Sequence, residues 1–450
     1  MSDPAPTSVP LKQRIVKAGG WSLLQVVGVH GLRLASNLIM TRLLLPEAFG
    51  LIAMVGVLIA GFTLFTDIGV GRSVAREPDG DQPHFLRVAW TFKVARGVII
   101  ALGVLLAAAG LWAFGPALAA EGSVYADPRL PLLVATSALV PVLMGLESIL
   151  PDLMIRQLKI QYAVMIEVGA QIAQIAAMIL FAWISPTVWA LMAGMLVGAT
   201  AKAVASHLLI PGPRMRFAWD REIAGRLWHF GKWLIGSSVF TFVSMNADRF
   251  ILGGLLDATL FGIYVIAQIW VAAGSMVIAR LSDQVGFPAV SEVLRTRQDD
   301  APRVYRKFQT GIDAMCLAAF GVLLFGGQLL IDTLYVETYA PAGHYLAILS
   351  LSFLALRFHA HSNLIMNLGK TREMMLISAT RAVSICLTLP LAYLYLGLEA
   401  ALLAIALNPL VTSLYALSVL RPLLGDRQIR FDRIWLILTL VVAAAVYATG

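Results

Sequence analysis

The sequence predicts an all-α, polytopic membrane fold: two six-helix lobes related by a parallel pseudo-twofold repeat, plus at least one extra C-terminal transmembrane helix. Composition, the alternation of positive charge and an internal repeat predict it. Of 450 residues, 59% are apolar and 13% charged, whereas soluble domains average about 45–50% and about 25%. Mean hydropathy is +0.80. These values exclude a water-soluble globular protein, a disordered chain and a nucleic-acid-binding module, despite a pI near 9.6.

Apolar runs separated by polar, Pro and Gly clusters place thirteen spans at 18–41, 46–70, 88–114, 130–154, 160–183, 187–210, 229–254, 259–282, 308–331, 342–367, 373–396, 400–420 and 433–449. At about 20 residues per crossing helix, they use over half the chain. Residues 1–17 carry Lys12, Arg14 and Lys17 and read as a cytoplasmic lead-in, not a cleaved leader. Spans one to six form an N-lobe, 18–210, and a basic linker covers 211–228. Spans seven to twelve form a C-lobe, 229–420, followed by a cytoplasmic loop and span thirteen in 421–450.

Positive charge tests this map. With the N-terminus cytoplasmic, segments on that side hold 28 of the 34 Lys and Arg residues. The other side holds Arg42 and Arg129, a bias that sets the orientation. The longest outer loop, 115–129, has 15 residues and leaves no room for a catalytic domain. The cytoplasmic stretches 211–228 and 283–307 are too small for a nucleotide-binding domain.

A shift of 212 residues places Gly19 on Gly231, Trp21 on Trp233, Leu43 and Leu44 on Leu255 and Leu256, and Phe49-Gly50 on Phe261-Gly262. Six spans separate the copies, so both enter from the same face, which makes the repeat parallel. Span thirteen lies outside this pairing.

Four arginines fall inside spans: Arg33, Arg249, Arg357 and Arg381. Each costs roughly 2.5–3.5 kcal/mol at mid-bilayer, so each should face protein or a wet cavity. His30, Arg33 and Asn37 share one face of span one at i, i+3, i+7 spacing. That polar stripe is either a hydrogen-bond seam or one wall of an anion-binding cavity. Arg249 either snorkels or faces the same cavity, and its neighbour Asp248, pointing about 100° away on a helix, could pair with an arginine elsewhere. Arg357 lies too deep in span ten to snorkel and is assigned to the cavity; His361 shares its face, as a hydrogen-bond strut or as a further cavity residue. Arg381 in span eleven either snorkels or joins them. Glu147, and Glu167 with Gln171 and Gln174 on one face, either neutralise buried arginines or form an Na⁺ or H⁺ coupling site.

Cys316 and Cys386 read as buried hydrophobes. Gly369-Lys370-Thr371 lacks the upstream glycine of a phosphate loop, because position 364 is Leu. No HExxH, paired-Cys or GxSxG motif occurs. Gly194 and Gly198 predict close helix packing. No metal or organic cofactor is expected.

Several segments resemble polysaccharide transporters of the multidrug/oligosaccharidyl-lipid/polysaccharide exporter superfamily. They are Thr41-Arg42-Leu43-Leu44-Leu45-Pro46-Glu47-Ala48-Phe49-Gly50, Thr66-Asp67-Ile68-Gly69-Val70-Gly71, Asp248-Arg249-Phe250-Ile251-Leu252-Gly253 with Phe261-Gly262-Ile263-Tyr264, and Phe287-Pro288-Ala289-Val290-Ser291. They occur in family order over about residues 15–420. The resemblance implies a Wzx-type flippase of the bacterial inner membrane that moves undecaprenyl-pyrophosphate-linked oligosaccharide for exopolysaccharide, O-antigen or capsule synthesis. It implies a central cationic cavity, to which Arg33 and Arg249 match by place; Arg357 and Arg381 rest on burial alone. Membrane lipids, and a polysaccharide polymerase with its export machinery, are the expected partners. The family usually has twelve or fourteen spans, and thirteen departs from that.

Arginine suits pyrophosphate because its planar fork donates two hydrogen bonds and it stays charged. Rocking of the lobes is the expected mode of alternating access. Three rivals are a multidrug or cation antiporter, which calls for an acidic cavity; a membrane glycosyltransferase, ligase or polymerase, which calls for longer outer loops; and a major-facilitator sugar transporter, whose D-R-x-G-R-R loop is absent. On this reading, Arg33→Ala and Arg357→Ala each abolish export while the protein stays in the membrane.

Overall fold

The computed structural model describes residues 11–118, 120–282, 293, 300–368 and 370–449. Among them the chain is helical apart from short connections, and the protein is a polytopic all-α membrane protein. The helices are α1 Leu11–Leu43, α2 Pro46–Phe65, α3 Val70–Arg76, α4 Pro83–Leu118, α5 Leu130–Ser137, α6 Leu139–Leu146, α7 Leu150–Arg156, α8 Gln161–Ile184 and α9 Val188–Leu208. They continue as α10 Arg221–Leu255, α11 Ala258–Leu281, α12 Ala301–Leu334, α13 Pro341–Leu349, α14 Leu351–Leu356, α15 His359–Asn367, α16 Thr371–Leu396, α17 Leu398–Leu407 and α18 Ser413–Thr449. The predicted segment 287–291 lies outside the described residues.

Among the described residues nine helices are long and apolar enough to cross a membrane, or ten if the pair Leu130–Leu146 and Leu150–Arg156, bent by 50°, is one span. One of the nine, Leu398–Ala448, contains predicted spans twelve and thirteen. Its 51 residues at about 1.5 Å each exceed twice the roughly 30 Å of hydrocarbon. Gly425, at φ 74° and ψ 163°, breaks it; a side chain there would meet the left-handed steric penalty. Predicted spans one and seven coincide with α1 and α10, which stand apart from the nine.

The chain packs as two compact units. One comprises residues up to Glu121 with Tyr125–Val239; the other is Gly122–Val124 with Phe240–Gly450. In the first, Phe85, Leu86, Leu150, Leu153, Ile223 and Leu227 share a core. In the second, Tyr305, Phe358, Leu364, Leu417, Leu424 and Ile429 do. Large apolar side chains also point outward: Phe325 is 86% exposed, Tyr395 80% and Trp112 78%. Apolar surface on this scale is the surface of a protein bathed in lipid.

Local chemistry explains the helix ends that matter. Pro46 opens α2 after extended Leu45, where a missing N–H costs nothing. Asp257 caps α11 by accepting from Thr259 N (2.8 Å) and Leu260 N (3.0 Å). A Cβ on Gly194 would sit 2.0 Å from Met178 Cγ, and one on Gly198 2.8 Å from Gln174 Oε1. The small pair is therefore what lets α9 lie against α8.

Predicted spans four and ten are each broken twice. The first break of span four is at Ala138 and that of span ten at Ser350, 212 residues apart, which is the repeat shift. The second breaks follow Leu146 and Leu356. The charged residues at these second breaks, Glu147 and Arg357, cap the helices that end there.

Candidate functional site

In the first unit, a polar seam crosses five elements. Arg33 Nε on α1 donates to Gln171 Oε1 on α8 at 3.4 Å. One turn earlier on α8, Glu167 pairs with Lys202 of α9 at 2.7 Å. Lys202 also lies 3.8 Å from Glu147, which Lys93 of α4 approaches to 3.1 Å. Lys93 Nζ donates further to Ser148 O (3.4 Å), a carbonyl freed by the helix break. His30 and Asn37 lie on the Arg33 face of α1 and are partly exposed; Arg33 itself is exposed.

The side chains of this seam stay in partial contact with the surroundings: Glu147 is 12% exposed, Lys93 20%, Glu167 26% and Lys202 34%. The two glutamates therefore neutralise lysines, not the arginines expected as partners. Lys93 and Lys202 are among the 28 basic residues counted on the cytoplasmic side, at span ends; what marks them is their helical depth, each a turn or more inside an apolar run. Once the four charges cancel, the guanidinium of Arg33 remains.

In the second unit, Asp248 of α10 accepts a hydrogen bond from the Tyr264 hydroxyl of α11, which also accepts from Gln268 Nε2 at 2.9 Å. Asp248 thus pairs with a phenol where an arginine was expected. Arg249 Nε is buried without a hydrogen-bond partner among the described residues. Arg381 of α16 donates from Nε to Thr412 Oγ1 (2.8 Å) and from Nη2 to Pro409 O (3.3 Å), both neutral acceptors.

Arg357 and His361 require correction. Arg357 is fully buried and holds Asp313 of α12 with two bonds, Nε–Oδ1 at 2.8 Å and Nη2–Oδ2 at 3.0 Å. Its Nη1 donates to Asp432 of α18 at 2.9 Å. The guanidinium carbon lies 4.7 Å from the Trp435 ring centroid and 5.3 Å from that of Phe358. His361, also fully buried, bonds Asp432 Oδ2 through Nε2 at 3.1 Å. Gln309 and Gln428 each donate to one of the aspartates, at 2.8 and 3.1 Å. This side chain lines no open cavity. It ties three elements together, and two carboxylates consume its charge.

Asp313 and Asp432 were the missed residues. Each follows a glutamine by four positions, Gln309–Asp313 at the start of span nine and Gln428–Asp432 in the charged stretch before span thirteen, so each pair occupies one helix face. That pattern was the available signal.

A family model described as "Polysaccharide biosynthesis protein" matches residues 39–344. The lipopolysaccharide biosynthesis protein WzxC of Escherichia coli K12 is 23% identical over 319 residues, 70% of this chain and 61% of that protein. The succinoglycan biosynthesis transport protein ExoT of Rhizobium meliloti is 22% identical over 324 residues, 69% of this chain and 62% of its own. The match thus spans about three-fifths of each relative's length. Among solved structures, the lipid II flippase MurJ in an inward closed conformation superposes with TM-score 0.66 at 12% identity, covering 95% of this chain and 93% of its own. An inward-facing multidrug resistance MATE family transporter of the MOP superfamily superposes with TM-score 0.64 at 13% identity, covering 96% and 99%. At these identities the structures show a shared fold.

Proposed function

We propose, from the premise that this chain belongs to the polysaccharide biosynthesis protein family, that it is a transporter, not an enzyme. Its proposed cargo is undecaprenyl-pyrophosphate-linked oligosaccharide, flipped across the bacterial inner membrane by alternating access. The polymerase and export machinery that consume the glycan are its proposed downstream partners.

One observation supports this reading above the rest: guanidiniums in apolar spans with no hydrogen bond to a carboxylate among the described residues. Arg33 meets an amide, Arg381 a hydroxyl and a carbonyl, and Arg249 keeps an unpartnered buried Nε. Cations left without carboxylates in a membrane protein need an anion, and a pyrophosphate accepts paired N–H donors well. Each unit offers its own: Arg33 in the first, Arg249 and Arg381 in the second. His30 and Asn37 extend the Arg33 face and suit contacts to sugar hydroxyls. For ion coupling we assign Asp248. Glu147 and Glu167 are occupied by lysines, whereas the side chain that hydrogen-bonds Asp248 is a neutral hydroxyl, with the Arg249 charge nearby.

The test is export of polysaccharide from cells carrying Arg33→Ala, Arg249→Ala or Arg381→Ala, with the protein in the membrane quantified. Export should fall at least about tenfold for each, the loss of one charge-assisted contact, with protein abundance unchanged. Normal export in all three variants overturns the assignment.

A further inference from the structure

The second unit contains a cavity of about 200 Å³ that none of the residues proposed for transport enters. It lies between the first turns of α12, which supply Arg306, Gln309, Thr310 and Asp313, and the start of α18 after its Gly425 break, which supplies Arg427, Gln428 and Phe431.

The walls divide into groups already occupied and groups still open. Asp313 is gripped by both arms of Arg357, so its charge is spent inside the protein. Gln309 donates to Asp313 and accepts from the Tyr305 hydroxyl at 3.1 Å. Gln428 donates to Asp432 and accepts from Arg306 Nε at 3.2 Å. The Thr310 hydroxyl donates to Arg306 O at 2.9 Å. What remains open is cationic: the two terminal nitrogens of Arg306 and the whole Arg427 guanidinium. Neither arginine pairs with a carboxylate among the described residues. The occupied groups hold the wall rigid, so the arginine donors are presented on a fixed frame.

The surroundings are apolar and turned outward. Phe431 is 49% exposed, and beyond it along α18 Ile434 and Ile437 are 63% and 60% exposed; Leu317 on α12 is 47% exposed. A cationic pocket thus opens beside helix faces that meet acyl chains. Its volume is below the roughly 300–1,000 Å³ of sites that enclose a drug-sized ligand, which suits one head group with its tails left outside.

We propose that this cavity binds the phosphoryl head group of an anionic phospholipid of the bilayer, held by Arg306 and Arg427. Basic pockets between transmembrane helices recognise such head groups by charge and by the guanidinium–phosphate fork. The lipid joins α12 to the helix that follows Gly425, just outside the buried Arg357–Asp313–Asp432 cluster. The proposal does not depend on the flippase reading.

The experiment uses the purified, delipidated full chain in detergent and native mass spectrometry with added dioleoyl phosphatidylglycerol. The wild type should bind this lipid at least about tenfold tighter than dioleoyl phosphatidylcholine, a difference of about 1.4 kcal/mol. R306Q/R427Q should abolish the preference. R306K/R427K, which keeps both charges, should retain most of it, and R421Q, outside the cavity, all of it. The melting temperature of each variant, measured without lipid, confirms that the comparison is between folded proteins. Preference surviving in R306Q/R427Q overturns the proposal. Displacement by an equal concentration of inorganic phosphate overturns the lipid source, because the site is then one for free anions. Displacement by stoichiometric undecaprenyl pyrophosphate overturns it in favour of a carrier subsite.

Discussion

The two units solve one problem with opposite signs. Each breaks a helix at corresponding places in the repeat, and each puts a charge at the second break: Glu147 in the first unit, Arg357 in the second. The counter-charge comes from the preceding long helix in both, Lys93 of α4 and Asp313 of α12. Solvation then separates them. The Glu147 cluster keeps 12–34% of its side-chain surface open. In the second unit Arg357, Asp432 and His361 are sealed at 0%. An open ion pair contributes little and can exchange partners; a sealed one is a permanent joint whose loss strands a charge. Intramembrane charge is therefore not by itself a mark of function, and what distinguishes the two cases is whether the partner is another charge inside the protein.

The comparison breaks most sharply at Arg357. Arg357→Ala leaves two buried aspartates and should cost about 3–5 kcal/mol, seen as a collapse of membrane abundance and a large fall in melting temperature. This revises the expectation of a stable, export-dead variant. Arg357→Lys should recover little, since an ammonium cannot span both carboxylates. Adding Asp313→Asn and Asp432→Asn to Arg357→Met, which removes the stranded charges, should recover most of the protein. Wild-type abundance of Arg357→Ala would refute the sealed-joint reading.

Glu147→Gln sharpens the contrast from the other side. With Lys93 and Lys202 able to reach water, stability should fall by only about 1 kcal/mol. Exchanging the charges, Lys93→Glu with Glu147→Lys, should recover part of that in a thermal-shift measurement. A loss as large as that of Arg357→Ala would mean that the first cluster is sealed as well.

The smallest effect lies outside the spans. A hydrogen bond from Arg226 holds the Asp79 carboxyl below its ordinary value of 3.8. Unfolding raises that value, so the contribution is complete above the ordinary carboxylate range. It disappears as pH falls through the lowered folded value. Both side chains are about a third exposed, so the contribution is well under 1 kcal/mol. Arg226→Gln should lower the melting temperature slightly across the neutral region and leave the acid end unmoved, which flattens the acid limb of the profile.

Much of this protein was legible from residues alone. Every predicted span falls on helical chain, with spans four, ten and twelve interrupted, because a bilayer demands internally satisfied backbone over a set length and apolar runs of that length report it. The 212-residue offset read from Gly-Trp and Phe-Gly pairs recurs in the first breaks of spans four and ten, and the Gly194–Gly198 contact was legible too. Burial of Arg357 was inferred correctly from its depth in span ten; its role was not. That role depended on Asp313, 44 residues away, and Asp432, 75 residues away. Likewise Lys93 and Lys202 looked like span-end charges until tertiary packing brought them to Glu147. Hydropathy is a property of single segments in a known solvent, so the linear sequence determines where the membrane helices fall. Whether a buried charge is spent or available is a property of pairs on different helices, which only the packed structure decides.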